Sequence, residues 1–362
     1  MMHFHSKNNE KKVCQRTFSA GFVGSILMVM TLLFSVHAWG QTGGRSTYGF
    51  LNLTTSARSM SLGTKTIAID DNDLSLIYYN PALLSGHMQN HLAMSYVRYY
   101  GGVNYGSALY APVIRKDYQL SAGIHYLNYG AFQQADERGI QGGEFSASEY
   151  SLHLSAALAI DSLWKVGVNL KPVFSQLHEY NSLGIATDLG VVYNDTSNLF
   201  TAALVLRNLG TQIIPYHPGS YEPLPFEIQL GASIKLRHAP FRFIAVAEHL
   251  ERPGLSYSKP QNNELLYTYY EGSYDDKSIF DKVMRHMIFG IEFTPLDHFY
   301  LRAGYSYRRR QEMKIESKLS TVGFSWGFGL KIYKLYLNYG RGTYHLAGGT
   351  NHFTIRANLN AF

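Results

Sequence analysis

Residues 226–236 read FEIQLGASIKL, and this stretch decides the fold. Its apolar residues, from Phe226 to Leu236, alternate with small or polar residues such as Glu227 and Gln229. A period of two residues places the two sets on opposite faces of a β-strand. The stretch therefore predicts a strand that is apolar on one face and polar on the other.

The same alternation recurs from residue 91 to the end of the chain. Clear examples lie at 118–126, 150–158, 164–170, 299–307 and 353–359, and weaker ones begin near 91, 103, 183, 200, 241, 287, 319 and 333. Together they predict about fourteen strands, and an even number is what a bacterial barrel requires.

The composition favours a membrane barrel over a soluble sheet. Charged residues make up 16% of the chain, against about 25% in ordinary soluble domains, and aromatic residues make up 14%. No apolar run after residue 40 is long enough for a membrane helix, so a spanning structure must pair its backbone in a closed sheet. We expect an all-β fold, a transmembrane antiparallel β-barrel in the outer membrane, with lipid and lipopolysaccharide around it.

The alternative is a secreted β-sandwich, whose outer face should carry more Lys, Glu and Thr than these strands do. Tyrosines near the predicted strand ends favour the barrel, because aromatic girdles lie at both membrane interfaces. The tyrosines assigned to this girdle are Tyr99, Tyr100, Tyr110, Tyr129, Tyr193 and Tyr339.

Residues 1–40 form a predicted secretory signal peptide. Basic residues from Lys7 to Arg16 precede an apolar stretch at 20–36, and cleavage after Ala38 or Gly40 fits equally well. A membrane anchor is the alternative. Removing the segment lowers the formal net charge from +6 to +3 and takes away Cys14, the only cysteine. Disulfides and thiolate metal sites are thereby excluded from the mature chain.

Residues 41–90 lack the alternation and predict a plug inside or under the barrel, which occupies residues 91–362. Asp73 is placed to cap one short helix, and Asn80 with Pro81 at the first helical position is placed to begin another. The residues that we assign to this plug and lumen site are Ser56, Arg58, Asp70, Asp71, Asp73, Asn80 and Pro81.

A second irregular stretch, at 251–285, is too long for a passive hairpin turn. Together with the loop between Pro215 and Pro225, it is predicted to face a partner. The candidate docking residues are Tyr267, Tyr269, Tyr270, Asp275 and Asp276.

No motif in the chain predicts catalysis, a metal or a cofactor. Residues 323–327, GFSWG, match the G-x-S-x-G pattern, but a strand rather than a helix is predicted to follow, so no nucleophile elbow is expected. The acidic run at 70–73 lacks the glycine and glutamate that an EF-hand needs. His125 and His153 lie on a polar strand face and are expected to fill the lumen. An outer-membrane phospholipase stays open as an alternative.

The basic run Arg308–Arg310 is the only one in the chain, and Glu312 follows it closely. A nucleic-acid surface needs more clustered basic residues, so no nucleic-acid partner is expected. The run is interpreted as a solvated turn, with lipid phosphate binding as the alternative.

Several segments resemble PorQ-type proteins, which belong to the PorV/PorQ branch of fatty-acid-transporter-like outer-membrane barrels. The similarity lies in Tyr48–Leu53, Ser56–Arg58, Leu62–Gly63, Asp70–Asp73, Asn80–Leu84, Gly184–Gly190, Arg207–Gly210, Pro225–Gly231 and His238–Phe241.

This resemblance implies a fourteen-stranded barrel that works in the type IX secretion system. Members of this kind help to hold the cell-surface attachment complex to the outer membrane through a PorZ-type partner, and the PorU/PorV pair is a further possible partner. The rival expectation is a transporter of hydrophobic small molecules such as fatty acids.

Overall fold

The computed structural model describes residues 46–114, 117–135, 137–255, 278–314, 320–345 and 348–361. The signal peptide predicted at 1–40 lies outside them. The described strands are β1 (His91–Arg98), β2 (Asn104–Ala111), β3 (Tyr118–Ala135), β4 (Gln141–Ala159), β5 (Trp164–Leu177), β6 (Tyr180–Asn194), β7 (Phe200–Ile214), β8 (Glu227–Lys235), β9 (Phe241–Ala247), β10 (Met287–Leu296), β11 (Phe299–Ser306), β12 (Phe324–Ile332), β13 (Leu335–His345) and β14 (Gly348–Asn358).

These strands form one closed antiparallel sheet in which each strand pairs with its neighbours in sequence. The ring closes between the first and last strands, where His91 lies opposite Asn358 on one side and opposite Ala111 on the other. The predicted fourteen-stranded barrel is confirmed, and the sandwich is excluded. The strand expected near residue 319 begins at Phe324. The strands expected at 150–158 and 353–359 begin earlier than predicted, at Gln141 and Gly348.

The two faces of each strand differ as the alternation predicts. In β4, Leu152 and Leu154 are 41% and 50% exposed, whereas Ser151 and His153, which alternate with them, are almost fully buried. The apolar side chains therefore point outward and the polar ones point into the lumen. This is the arrangement of a sheet with lipid outside.

The predicted aromatic girdle is wrong at two positions. Tyr99 and Tyr129 pack against the interior cluster that contains Tyr105, and the Tyr129 hydroxyl donates to the buried Glu149 at 2.7 Å. Both rings lie at the rim of the lumen rather than in lipid. At the end of a strand, an aromatic side chain can turn toward either face of the sheet, and these two turn inward.

The two ends of the barrel are distinguished by their connections. Since the strand number is even, the chain enters β1 and leaves β14 at the same end, where short connections also lie at 160–163, 195–199, 297–298 and 333–334. The opposite end carries the long connections at 215–226, 248–286 and 307–323. Short turns face the periplasm in outer-membrane barrels, so the end with the long connections faces outward.

The wall is uneven in height. Strands β3 to β7 have 14 to 19 residues, whereas β8, β9 and β11 have 9, 7 and 8. The additional length of the tall side lies at the outer end.

Within the described part of the chain, three short α-helices accompany the strands: α1 (Ala57–Ser61), α2 (Ile279–Met284) and α3 (Tyr307–Met313). The described 3₁₀-helices are Gly49–Asn52, Leu74–Leu76, Pro81–Leu83, Gly86–Met88, Tyr100–Gly102 and Leu359–Ala361. Among the described residues, no helix has both the length and the apolarity needed to cross a membrane.

Helix α3 corrects the interpretation of Arg308–Arg310 as a solvated turn. Arg308 pairs with the buried Glu248 at 2.7 Å, and Arg309 lies 4.2 Å from the centre of the Tyr344 ring. Arg310 donates to the carbonyl of Ser320 at 2.5 Å. Three arginines in a row are thus engaged by the protein itself, which a local sequence rule cannot anticipate.

Ser325 of the GFSWG stretch lies in β12 and faces inward, where its hydroxyl donates to the Ser61 carbonyl at 3.3 Å. The prediction of a strand in place of a nucleophile elbow is confirmed.

We predict that Leu154→Arg lowers the free energy of unfolding in lipid vesicles by about 2–4 kcal/mol, because the side chain faces lipid near mid-strand. Urea titration of the reconstituted barrel measures the change. Tyr221→Arg, at a residue that is 63% exposed in the outer loop 215–226, is the control and should be nearly neutral. Equal effects of the two substitutions would contradict a lipid-facing Leu154.

Candidate functional site

Residues 46–90, here called the N-terminal segment, lie inside the ring of strands. Most of their side chains are buried, including every residue of α1. The segment contacts walls that are far apart in the ring, through Tyr48 with Ser182 of β6, Ala68 with Ser233 of β8, and Ala57 with Thr354 of β14. Contacts to walls across the ring mean that the segment occupies the lumen.

The segment also runs along the length of the barrel. The Thr47 amide donates to the carbonyl of Pro223 in an outer loop at 3.0 Å. Asp70 pairs at 2.6 Å with Lys165, near the periplasmic end of β5. The segment therefore reaches from the outer end of the lumen to its periplasmic end.

Arg58 is the centre of the main polar cluster. Ser56 caps α1 by accepting from the Ser59 amide, and α1 places Arg58 between Asp71, Asp73 and Glu292. The guanidinium lies 2.6 Å from Asp71, 3.0 Å from Asp73 and 2.9 Å from Glu292. One arginine of the segment thus joins two of its own carboxylates to a carboxylate of β10.

The barrel wall supplies three further arginines to this cluster. Arg302 and Arg242 lie 2.7 and 2.8 Å from Glu292, and Arg356 lies 3.3 Å from Asp73. Four arginines surround three carboxylates, so each carboxylate has at least two cationic partners. We call these seven residues the Arg58 cluster.

The arginines control the protonation of the two aspartates. Burial alone would raise the pKa of Asp71, but Arg58 and Arg242 outweigh it and hold the pKa well below its usual range. Burial likewise opposes ionisation of Asp73, and Arg356 and Arg58 lower its pKa. Both side chains are therefore charged at neutral pH.

The remaining predicted residues of the N-terminal segment have structural partners. Asp73 accepts from the Ser75 amide and Asn80 accepts from the Ala82 amide, so both predicted helix caps are confirmed, with Pro81 at the first helical position. Asn80 also donates to the Ile67 carbonyl at 2.8 Å. These bonds fold the segment into the short turns that place Arg58 and Asp70.

A second ionic cluster lies at the outer end of β8. Lys65 of the segment lies 2.5 Å from Glu227 and 2.8 Å from Glu248, and both carboxylates are buried. With His249, these carboxylates are close enough together to ligate a metal ion. The Lys65 ammonium already binds two of the three groups, so an ion pair explains the cluster without a metal.

A third cluster lies against β3 to β6. The Tyr78 hydroxyl is hydrogen-bonded to His125, and the Tyr78 ring lies 4.6 Å from the ring of His153. Nearby, Lys171 pairs with Asp188 at 2.5 Å. The two histidines face the lumen, as the alternation predicts, and contact the N-terminal segment there.

Sequence reasoning missed Lys65 of the N-terminal segment and the barrel residues of these clusters: Glu292, Arg242, Arg302, Arg356, Glu227 and Glu248. A signal for them exists, because a charged residue on the polar face of a clean strand, such as Glu227 in FEIQLGASIKL, must find an opposite charge inside a filled lumen. Their partners, however, are distant in sequence.

The predicted docking residues Tyr267, Tyr269, Tyr270, Asp275 and Asp276 lie outside the described residues. Around them, residues 279–284 form α2, so this part of the predicted irregular stretch is helical. The loop 215–226 combines two environments. Tyr221 is exposed, whereas Leu224 is buried against the N-terminal segment.

Comparison with known proteins gives structural neighbours only. No protein-family model and no curated protein matches the chain. Among solved structures, a deltaS2 mutant of the TodX monoaromatic hydrocarbon channel is 13% identical, with a TM-score of 0.49 over 84% of this chain and 97% of that one.

Two other neighbours are the toluene transporter TodX of Pseudomonas putida and a FadL homologue of Pseudomonas aeruginosa. The first is 12% identical, with a TM-score of 0.46 over 83% of this chain and 95% of the other. The second is 10% identical, with a TM-score of 0.46 over 84% and 98%. The neighbours are FadL-family outer-membrane barrels, and similarity at this level carries no argument about function.

The fold itself determines the location. A closed antiparallel barrel pairs all of its strand edges, and its exposed face here is apolar, which suits it to cross a bilayer. The protein is a bacterial outer-membrane β-barrel protein.

We predict that Gly304→Ala costs about 1–3 kcal/mol of stability, since overpacking of a filled interior has this magnitude. A Cβ at Gly304 would lie 2.2 Å from the Gly63 amide nitrogen of the N-terminal segment. Gly143→Ala is the matched control, because the nearest atom there is 4.0 Å away. Equal urea midpoints for the two variants would mean that the segment does not pack against β11.

We also predict that acid weakens the Arg58 cluster. The folded-state pKa of Asp71 and Asp73 lies below the unfolded value of about 3.9, so their contribution is complete above that pH and is lost as the pH falls through the folded pKa. Urea titrations between pH 7 and pH 2 should show a smaller acid-dependent loss in Asp71→Asn than in the wild type. Glu179→Gln, at a side chain that is 82% exposed, should keep the wild-type profile.

Proposed function

We propose that this protein is a non-enzymatic docking barrel of the outer membrane, whose N-terminal segment acts as a permanent plug. The observation that carries the proposal is the filled lumen. The segment is buried and ion-paired to several walls, and it extends from the outer loop 215–226 to the periplasmic end. Such a lumen serves attachment, which needs only a sealed barrel, better than conduction.

We further propose that the barrel works in type IX secretion and anchors the cell-surface attachment complex through a PorZ-type partner. The support is the resemblance to PorQ-type proteins. Its N-terminal part includes Arg58, Asp73, Asn80 and Pro81, and these residues are the ones that fold the segment and fix it to the wall. The PorU/PorV pair is a further candidate partner.

Transport of hydrophobic small molecules is the second candidate, and one observation favours it. A cavity of about 370 Å³ opens at the outer end of β4 to β7, where it is lined by apolar residues that include Tyr150, Phe174, Leu183 and Ile214. Ser175 and Ser182, which are buried, also line it. A hydrophobic molecule could enter the wall there, but the filled lumen behind it makes passage the weaker proposal.

Deletion of the gene should separate the two candidates. Under the docking proposal, surface-anchored cargo appears in the culture medium of the deletion strain, and immunoprecipitation of the wild-type barrel from detergent-solubilised outer membranes recovers the PorZ-type partner. Quantitative proteomics of cells and medium measures both effects.

Leu183→Trp provides the control, because it narrows the cavity without touching the Arg58 cluster. Complementation with this variant should restore attachment as fully as the wild type does. Loss of labelled fatty-acid uptake in the deletion strain, with attachment unchanged and uptake still missing in the Leu183→Trp strain, would overturn docking in favour of transport.

A further inference from the structure

The β3–β4 hairpin projects beyond its neighbours at the outer end. β3 pairs with β2 only as far as Asn128, opposite Asn104, and β4 pairs with β5 only from Ala147, opposite Leu177. Beyond these positions, 129–135 and 141–146 continue as a two-stranded ribbon, here called the outer ribbon. The ribbon pairs with no other strand of the described residues.

The outer ribbon lies outside the hydrocarbon layer. About ten residues of a tilted strand cross the bilayer, and the part of β3 from Tyr118 to Asn128 provides them below the ribbon. Nearly all ribbon side chains are exposed on both faces, and Phe132 is 40% exposed. A free two-stranded ribbon is only marginally stable in water, so a partner would stabilise it.

The ribbon edge on the β3 side lacks charged residues and prolines, which are two of the features that block strand pairing. Proteins protect exposed edges with proline or with charged residues, especially lysine. Residues 129–135 read YGAFQQA and contain none of these, whereas the other edge carries Glu144. Register irregularities after Asn128 and after Gln133 twist the ribbon, which gives its edge partial protection. Between them, Ala131 to Gln133 keep regular pairing with β4.

There is also room for a strand beside this edge. The position next to β3 is occupied by β2 up to Asn104, where the chain turns back through the 3₁₀-helix Tyr100–Gly102. Gly101 and Gly102 in this turn are exposed. The turn reaches as far as Gly130, whose Cβ position lies 3.8 Å from the Gly102 carbonyl oxygen. A strand added to residues 131–135 would therefore continue the line of β2 outward beyond the two glycines.

We propose that the β3 edge of the outer ribbon binds an extended segment of a partner polypeptide by strand addition. An open edge presents amide donors and carbonyl acceptors at strand spacing, and another peptide backbone matches this row in a way that a polysaccharide does not. The inference rests on the proposed docking function and names the surface that performs it.

Single cysteines test the proposal, since Cys14 in the predicted signal peptide is the only native cysteine. Gln133→Cys lies on the proposed edge, and Tyr221→Cys is the control on a loop at the same end of the barrel. With a membrane-impermeant maleimide, Gln133→Cys should react at least tenfold more slowly on intact cells than in the purified barrel. Tyr221→Cys should react at similar rates in both.

A photoreactive side chain at position 133 identifies the occupant. The expected adduct is a polypeptide joined through one segment, absent when the same probe is placed at position 221. An adduct with lipopolysaccharide would overturn strand addition, as would equal maleimide rates for Gln133→Cys in cells and in the purified barrel.

A shortened hairpin separates this inference from the proposed function. Replacement of residues 131–146 by Asn-Gly removes the ribbon and leaves the wall, and heat-modifiable mobility on gels reports whether the barrel folds. We expect immunoprecipitation of this variant to recover at least tenfold less partner than immunoprecipitation of the wild-type barrel. Full recovery of the partner with a folded, shortened barrel would show that the ribbon is not the binding surface, and the docking proposal would still stand.

If no partner is recovered with the wild-type barrel, the docking proposal itself is wrong. If the variant does not fold, the maleimide rates decide.

Discussion

Charge pairing inside the lumen is the constraint on which this structure depends. An unpaired charge in a protein interior costs several kcal/mol, and the wall directs Glu292, Arg242, Arg302, Glu227 and Glu248 inward. The N-terminal segment brings Arg58, Asp71, Asp73 and Lys65 to meet them. Because neither set of charges can be buried without the other, barrel and segment form one stable unit.

The outer face was predictable from the sequence because lipid imposes a local rule. Every second residue of a spanning strand must be apolar. A stretch such as 226–236 therefore shows which of its residues face lipid, and counting such stretches gives the number of strands. Helix caps obey equally local rules, which is why Asp73 and Asn80 could be assigned from their neighbours.

The interior was not predictable in the same way. Arg58 meets Glu292 across 234 positions of sequence, through the register of the closed ring. Arg308 finds Glu248 only because the fold brings α3 close to the residue that follows β9. At its strand end, the Tyr99 ring could pack toward lipid or toward the lumen. Its contacts with the rings of Tyr105 and Tyr344 determine that it packs toward the lumen. Partners of this kind are properties of the assembled barrel.

Because the interior is filled, the proposed docking function would use the outer end of the barrel. The clusters of Arg58, Lys65 and Tyr78 hold the segment at three levels of the wall, and loop 215–226 packs over its beginning. What distinguishes the outer end is the tall side of the wall and the long connections. A role in attachment uses these features, whereas a role in conduction would use a space that the chain itself occupies.

The uneven wall also acts on the surrounding lipid. Strands of about 9–11 residues match the bilayer, yet β9 has only 7 and β11 only 8. The bilayer beside these short strands becomes thinner to match them. The cost of this hydrophobic mismatch is smallest where another protein with a short hydrophobic wall shares the thinned patch. Strand length therefore favours particular neighbouring proteins on this side of the barrel in the plane of the membrane.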